Sequence, residues 1–153
     1  MRKILLSLGL ITAGFFSANA QDISENAIGL RFSGGNGVGG EITYQRALGK
    51  NNRLEIDLGL ANEFNNFKAT GLYQWVWNLE DKFNWYAGAG GGVGSFSGGG
   101  NSKTFFFGSG VLGLEYNFDA PILISLDYRP EFGFSDIYDG LNSDIALSVR
   151  YQF

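Results

Sequence analysis

Apolar and polar side chains alternate with a period of two residues along most of this chain. The clearest stretch covers residues 54–61, where Leu54, Ile56, Leu58 and Leu60 alternate with Glu55, Asp57, Gly59 and Ala61. Successive side chains of a β-strand point to opposite faces, so the pattern predicts a strand with one apolar and one polar face. A strand buried on both faces would not carry carboxylates at alternate positions. We therefore predict an all-β protein whose strands separate two unlike environments.

The same alternation recurs in eight segments, which predicts eight strands. The segments are residues 27–32, 41–48, 54–61, 68–79, 84–96, 106–117, 122–131 and 145–153. Strands of about 9–12 residues can cross a bilayer when tilted. The connections that follow the second, fourth and sixth strands are tight turns. Those that follow the first, third, fifth and seventh strands are predicted to be longer or glycine-rich loops, among them Gly34–Gly40, Ser97–Lys103 and Gly133–Ser143. This asymmetry is typical of membrane barrels with short periplasmic turns and both termini in the periplasm.

The first 20 residues predict a cleaved signal peptide. Arg2 and Lys3 precede an apolar run, and Ala18-Asn19-Ala20 supplies the small residues that a signal peptidase requires. A retained membrane helix would need about 20 apolar residues. Cleavage would leave 133 residues from Gln21 to Phe153. We expect two segments, an exporting signal peptide over 1–20 and one β-barrel over 21–153.

Charge and composition exclude several classes of function. All 15 acidic residues follow position 20 but two of the 11 basic residues precede it, so the mature chain carries a net charge of −6 and is not expected to bind nucleic acid. The chain has no histidine, the commonest general base at neutral pH, and we expect no enzymatic activity. Gly35, Gly37 and Gly40 match a dinucleotide-binding spacing without the βαβ context, so we expect no cofactor and no metal.

Alternation alone does not say which face lies inside the barrel. A soluble lipocalin-like carrier would place the apolar face inside, whereas a membrane barrel inverts this arrangement. Two features of the polar face favour the inverted arrangement, with the polar face inside. Its glycines fit a narrow lumen that has little room, and its charges are of both signs. The orientation of the fourth strand stays open, since Leu72 and Val76 share the face of Gln74. Aromatic residues on the apolar face predict a girdle at the membrane interfaces, formed by Trp75, Trp77, Trp85, Tyr116, Tyr128 and Tyr151.

The polar face predicts an ion-pair network in the lumen, because buried charges must be paired. Its predicted members are Arg31, Glu41, Glu55, Asp57, Glu115, Asp127, Arg129, Glu131 and Arg150. We expect Arg129 and Arg150 to bridge to acids among Glu115, Asp127, Glu55 and Glu41, with room for the guanidinium groups supplied by Gly88, Gly90, Gly92 and Gly94. Such a network could be a structural plug or a gate for a narrow solute path.

Four segments resemble the small outer-membrane β-barrel family that includes OmpX and the transmembrane domain of OmpA. They are Leu72–Trp75, Asn84–Gly90, Leu126–Phe132 and Val149–Phe153. The resemblance implies an eight-stranded antiparallel up-and-down barrel in the outer membrane of a Gram-negative-type bacterium, in contact with lipid and lipopolysaccharide. It also implies that the barrel-assembly machinery reads Tyr151 and Phe153 in the last strand. We expect a monomer with a structural, envelope-integrity or surface-interaction role. The first alternative is a minor pore or transporter for small or apolar solutes. The second is a soluble periplasmic carrier, which agrees less well with the composition of the two strand faces.

Overall fold

The computed structural model describes residues 23–35, 39–61 and 66–153, and these residues form one closed barrel of eight antiparallel strands. Each strand pairs with its neighbours in chain order, and β1 pairs with β8. The predicted all-β up-and-down barrel is confirmed. The predicted signal peptide lies outside the described residues. The strands are β1 (Asn26–Gly35), β2 (Gly40–Ala47), β3 (Asn52–Ala61), β4 (Asn66–Glu80), β5 (Phe83–Gly98), β6 (Asn101–Asn117), β7 (Ile122–Ser135) and β8 (Tyr138–Gln152).

The described residues contain no helix long and apolar enough to cross a membrane.

The wall of the barrel has an apolar outside and a predominantly polar inside. On β3 the side chains of Leu54, Ile56, Leu58 and Leu60 are exposed, whereas Glu55 and Asp57 are buried. The same distribution settles the open orientation of β4, where Leu72, Gln74 and Val76 point inward and Trp75 is 43% exposed. A soluble carrier would have the opposite distribution, because water must meet its outer face.

The seam between β1 and β8 closes the barrel and leaves no strand edge. The register runs from Ala27 opposite Gln152 to Gly35 opposite Asp144. Beyond it, Asn26 N donates to Phe153 O at 3.0 Å, and Phe153 N donates to Asn26 O at 2.9 Å. Closure satisfies the backbone groups that an open edge would expose. We call the end with the chain termini the terminal end, and the opposite end, with the β5–β6 and β7–β8 turns, the hairpin end.

Two predicted loops at the hairpin end are wrong, because the strands continue through them. The pairing of β5 with β6 reaches Gly98 opposite Asn101, and that of β7 with β8 reaches Ser135 opposite Tyr138. The connections are therefore two-residue turns, and Gly99 and Gly100 both adopt positive φ angles (61° and 82°) that glycine tolerates. The extra length lies in strands of 14–17 residues rather than in loops. The glycine spacing between β1 and β2 joins antiparallel strands, not a strand and a helix.

Most of the predicted girdle gathers toward the terminal end. Trp77 stacks on Trp85 with centroids 4.4 Å apart, and Tyr116 packs edge-on against Phe83 and Phe118. Tyr128 is not where the girdle prediction puts it. It lies halfway along β7, between Leu112 and Ile145 of the neighbouring strands, because β7 continues to Ser135, four residues beyond its predicted end at Glu131. Aromatic residues that the prediction missed, Phe67, Phe106 and Phe132, face outward toward the hairpin end.

The turns at the terminal end are also tied to one another. Lys82, in the β4–β5 turn, forms an ion pair with Asp119 in the β6–β7 turn. The hydrogen bond to this carboxylate raises the pKa of the Lys82 ammonium above its ordinary value.

Candidate functional site: the charged interior of the barrel

The interior of the barrel is built around three arginines whose side chains have no exposed surface, Arg31, Arg129 and Arg150. They stand on β1, β7 and β8, which are neighbours because the barrel closes. All nine residues of the predicted network are buried in this interior. Alternation explains the placement, since each lies on the polar face of its strand.

Arg31 binds three carboxylates at once. Its Nη1 donates to Glu41 Oε2 at 2.7 Å and to Asp144 Oδ2 at 2.9 Å, and its Nη2 donates to Asp127 Oδ1 at 2.7 Å. Tyr86 adds a hydrogen bond from its hydroxyl to Asp127 at 3.3 Å. Asp144, which lies between the predicted loop Gly133–Ser143 and the predicted last strand, belongs to the interior, because β8 begins at Tyr138 and places Asp144 opposite Gly35 of β1.

Arg129 and Arg150 meet at Glu55. Arg129 Nη2 lies 2.9 Å from Glu55 Oε1 and 2.7 Å from Asp57 Oδ2, and Arg150 Nη2 lies 3.0 Å from Glu55 Oε2. Arg150 also donates to the hydroxyls of Thr43 and Ser125. Of the four acids proposed as partners, Glu55 contacts both arginines and Glu41 lies 3.6 Å from Arg129.

The other two proposed partners bind elsewhere. Glu115 pairs with Arg53 at 2.7 Å, and Asp127 pairs with Arg31. Arg53 is missing from the predicted network, although it lies on the same face of β3 as Glu55 and Asp57 and therefore points inward. Its guanidinium also donates to Gln74 Oε1 at 2.7 Å and lies 4.8 Å from the centroid of the Tyr86 ring.

Toward the hairpin end, the interior is closed by an ion pair under aromatic rings. Lys68 Nζ lies 2.7 and 2.8 Å from the two carboxylate oxygens of Glu131, and the Tyr138 hydroxyl donates to the same carboxylate at 2.5 Å. Lys68 Nζ is 4.9 Å from the centroid of Phe107, which is a favourable cation–π position. Phe105 stacks on Tyr138 at 4.8 Å. We call Lys68, Glu131, Tyr138, Phe105 and Phe107 the aromatic cap.

The glycines of β5 make room for aromatic rings and backbone, not for guanidinium groups, so that part of the prediction is wrong. A Cβ atom at Gly92 would lie 2.4 Å from the Phe107 ring, and one at Gly94 would lie 2.2 Å from the Phe105 ring. A Cβ atom at Gly90 would meet the Gly71 carbonyl oxygen at 1.9 Å. The guanidinium groups instead contact acids on other strands, Glu41 on β2, Glu55 and Asp57 on β3, Asp127 on β7 and Asp144 on β8.

Several buried polar atoms in the network lack a hydrogen-bond partner among the described residues. They include Arg129 Nε and Nη1, Asp57 Oδ1 and Asp144 Oδ1. Unmade hydrogen bonds of buried groups cost free energy unless water fills in. Around Arg129 the network therefore has spare donors and acceptors. In the described part of the chain, no three acidic, histidine or cysteine side chains are placed to hold a metal ion.

Known structures share this arrangement of strands, although no protein-family model and no curated protein sequence matches the chain. The N-terminal β-barrel domain of Pseudomonas aeruginosa OprF superposes with a TM-score of 0.67 at 12% identity, covering 86% of this chain and 100% of that one. The fold is that of the small eight-stranded outer-membrane barrels.

Two other small outer-membrane barrels agree with this assignment. Neisserial surface protein A aligns with a TM-score of 0.58 at 14% identity, over 84% of this chain and 94% of that one. Ail of Yersinia pestis aligns with a TM-score of 0.54 at 16% identity, over 85% and 97%. The resemblance predicted from the sequence is thus confirmed at the level of the fold, which is what identities this low establish.

Replacing Lys68 with methionine is expected to destabilise the barrel by about 1–3 kcal/mol, because Glu131 would lose its cationic partner while staying buried. The remaining hydrogen bond from Tyr138 keeps the loss below that of a carboxylate with no partner. Urea unfolding of the detergent-refolded protein, followed by tryptophan fluorescence, measures the change. The double variant K68M/E131Q should recover part of the loss, and a K68M/E131Q barrel no more stable than K68M would show that the pairing contributes little.

Proposed function

We propose that this chain is an integral outer-membrane barrel with a structural, envelope-integrity or surface-interaction role, and that its lumen is closed by a plug of ion pairs. The observation that carries the proposal is the interior network, in which Arg31, Arg129 and Arg150 are fully buried and each contacts at least one carboxylate. An eight-stranded barrel has an interior just wide enough for side chains to fill. A lumen filled by paired charges leaves no continuous water path.

The apolar outer face supports a location in the bilayer. Exposed apolar side chains lie on the outside of every strand, with exposures of about half for Leu30, Leu126 and Leu147. In water such a surface would drive aggregation, whereas lipid tails solvate it. We propose that lipid and lipopolysaccharide surround this face, that the terminal end faces the periplasm, and that the barrel is a monomer. Tyr151 and Phe153, whose rings stack 6.2 Å apart at the end of the chain, are the proposed assembly signal.

Conductance across a planar bilayer tests the plug. We expect the refolded protein to give no discrete channel openings. R129A should lower the unfolding free energy without producing openings, since the other ion pairs still fill the lumen. A wild-type barrel with regular conductance steps would contradict the plug. Steps that appear in R129A alone would mean that Arg129 is a gate.

A minor pore is the second candidate, and the unpartnered atoms around Arg129 favour it. Nη1 of Arg129 lies 3.6 Å from Glu41 and within reach of a shorter contact after a small side-chain movement. Exchange of Arg129 between Asp57 and Glu41 would rearrange the centre of the lumen. The described interior holds seven acidic and five basic side chains, so such a pore should prefer cations. A reversal potential measured in a KCl gradient would show that preference.

A surface role would involve the hairpin end. The Ail structure contains the heparin analogue sucrose octasulfate. In this chain Asp136 lies in the β7–β8 turn at that end, Asp139 is the second residue of β8, and Lys103 of β6 lines the same surface pocket as Asp136. Acidic side chains repel sulfated sugars. We infer that a surface partner of this barrel is not a polyanion, which a heparin-binding measurement on whole cells can check.

A further inference from the structure

The chain enters the barrel wall at Glu25 and Asn26, but Ile23 lies inside the terminal end. The Glu25 carbonyl accepts a hydrogen bond from Ala47 N at 2.9 Å, and the pairing of β1 begins at Asn26. Ile23 and Ser24 precede β1 and are not part of this ladder. The Ile23 side chain instead packs against an inward apolar cluster, formed by Leu72, Val76, Tyr86 and Val111.

Ile23 leaves almost no space at this end of the lumen. The cavity that remains between Ile23 and the ion pair of Arg53 with Glu115 has a volume of about 10 Å³, enough for about one water molecule. Apart from Ser24, which also precedes β1, the other side chains around the cavity stand on strands, among them Ala27 on β1 and Leu123 on β7. They can leave only if backbone hydrogen bonds of the wall break, whereas Ile23 is held by the packing of its side chain.

We propose that Ile23 is a stopper for the terminal end of the lumen, seated on the inner apolar cluster and able to leave it while the barrel stays closed. Seated, it covers the Arg53–Glu115 pair. Unseated, it opens a mouth from which water and small solutes reach that pair. The stopper deepens the proposed function, because it adds a movable closure to the fixed plug of ion pairs. Apolar packing alone sets its position, so a polar residue at position 23 should favour the open mouth.

The chain has no cysteine, so one introduced thiol reports access to the mouth without background. In A27C the thiol lines the cavity behind Ile23. Its reaction with a small cationic methanethiosulfonate is timed in detergent micelles, where both ends of the barrel meet the reagent. Adding I23S should accelerate the reaction about tenfold, since serine loses most of the apolar burial of isoleucine. Adding I23V should change the rate by no more than about twofold.

The matched control is L79S, which replaces an exposed apolar residue near the same end of β4 without touching the lumen. Equal rates in A27C with and without I23S would overturn the stopper, and so would the same acceleration by L79S. If the A27C barrel does not fold, I23C itself is labelled, and reaction as fast as that of L79C would overturn the proposal. A failure of the plug appears separately, as conductance steps of the wild-type barrel.

Discussion

Replacing Arg31 with methionine is expected to cost the barrel about 3–5 kcal/mol of unfolding free energy, the range for breaking a buried ion pair by removing one partner. Arg31 forms ion pairs with Glu41, Asp127 and Asp144 at once, at 2.7–2.9 Å. Methionine preserves much of the side-chain volume but no charge, so the loss would be electrostatic rather than a cavity effect. Urea titration of the refolded protein, read by heat-modifiable gel migration and tryptophan fluorescence, measures it.

Arg46 provides the matched control, since it is also an arginine in an ion pair but lies on the surface. Its partner Glu25 is 3.1 Å away, and the two side chains are 48% and 70% exposed. Exposed pairs contribute about 0–1 kcal/mol, so R46M should leave the urea midpoint almost unchanged. Equal effects of R31M and R46M would mean that the interior carboxylates do not depend on Arg31, and the plug of ion pairs would lose its structural basis.

The faces of the strands could be predicted from the sequence because a period of two residues is a local property. With Glu55 and Asp57 on the polar face, the inward position of Arg53 follows. The predicted segment leaves Arg53 out because it starts at Leu54, two residues after the observed start of β3 at Asn52. Strand length was harder to predict. Glycines and acids between Gly133 and Ser143 are typical of loops, but the pairing of β7 with β8 keeps all these residues except Asp136 and Ile137 in the two strands.

The partners in the network could not be predicted, because they depend on how the barrel closes. Arg31 contacts Asp127 and Asp144, which lie 96 and 113 residues further along the chain. These contacts follow from the β1–β8 register and from side chains that reach across the lumen. The alternation of residues along a single strand contains no information on either. The same reason explains Gly92 and Gly94 of β5, which are covered by the Phe107 and Phe105 rings of β6.

The β1–β8 seam provides a further test, because one of its glycines is a packing requirement. A Cβ atom at Gly29 would lie 1.9 Å from the Val149 carbonyl oxygen and 2.6 Å from Arg150 Cα. Both obstacles are backbone atoms, so relief needs the two strands to separate where the barrel closes. We expect G29A to destabilise the barrel by about 3 kcal/mol, the upper part of the usual range for overpacking. Slower refolding to the heat-modifiable form should accompany the loss.

Gly34 lies on the same strand and the same seam, opposite Ile145, and a Cβ atom there would meet nothing within 4 Å. G34A should therefore fold like the wild type, and alanine even restrains the unfolded chain slightly more than glycine does. The chemical change is the same in G29A and G34A, so any effect of alanine on strand formation in general is shared. A difference in stability between the two variants then reports how closely β1 and β8 approach at Gly29. If G29A and G34A unfold at the same urea concentration, β1 and β8 do not approach as closely at Gly29 as the register requires. In that case Arg150, which lies opposite Gly29, would also have more room than its buried contacts imply.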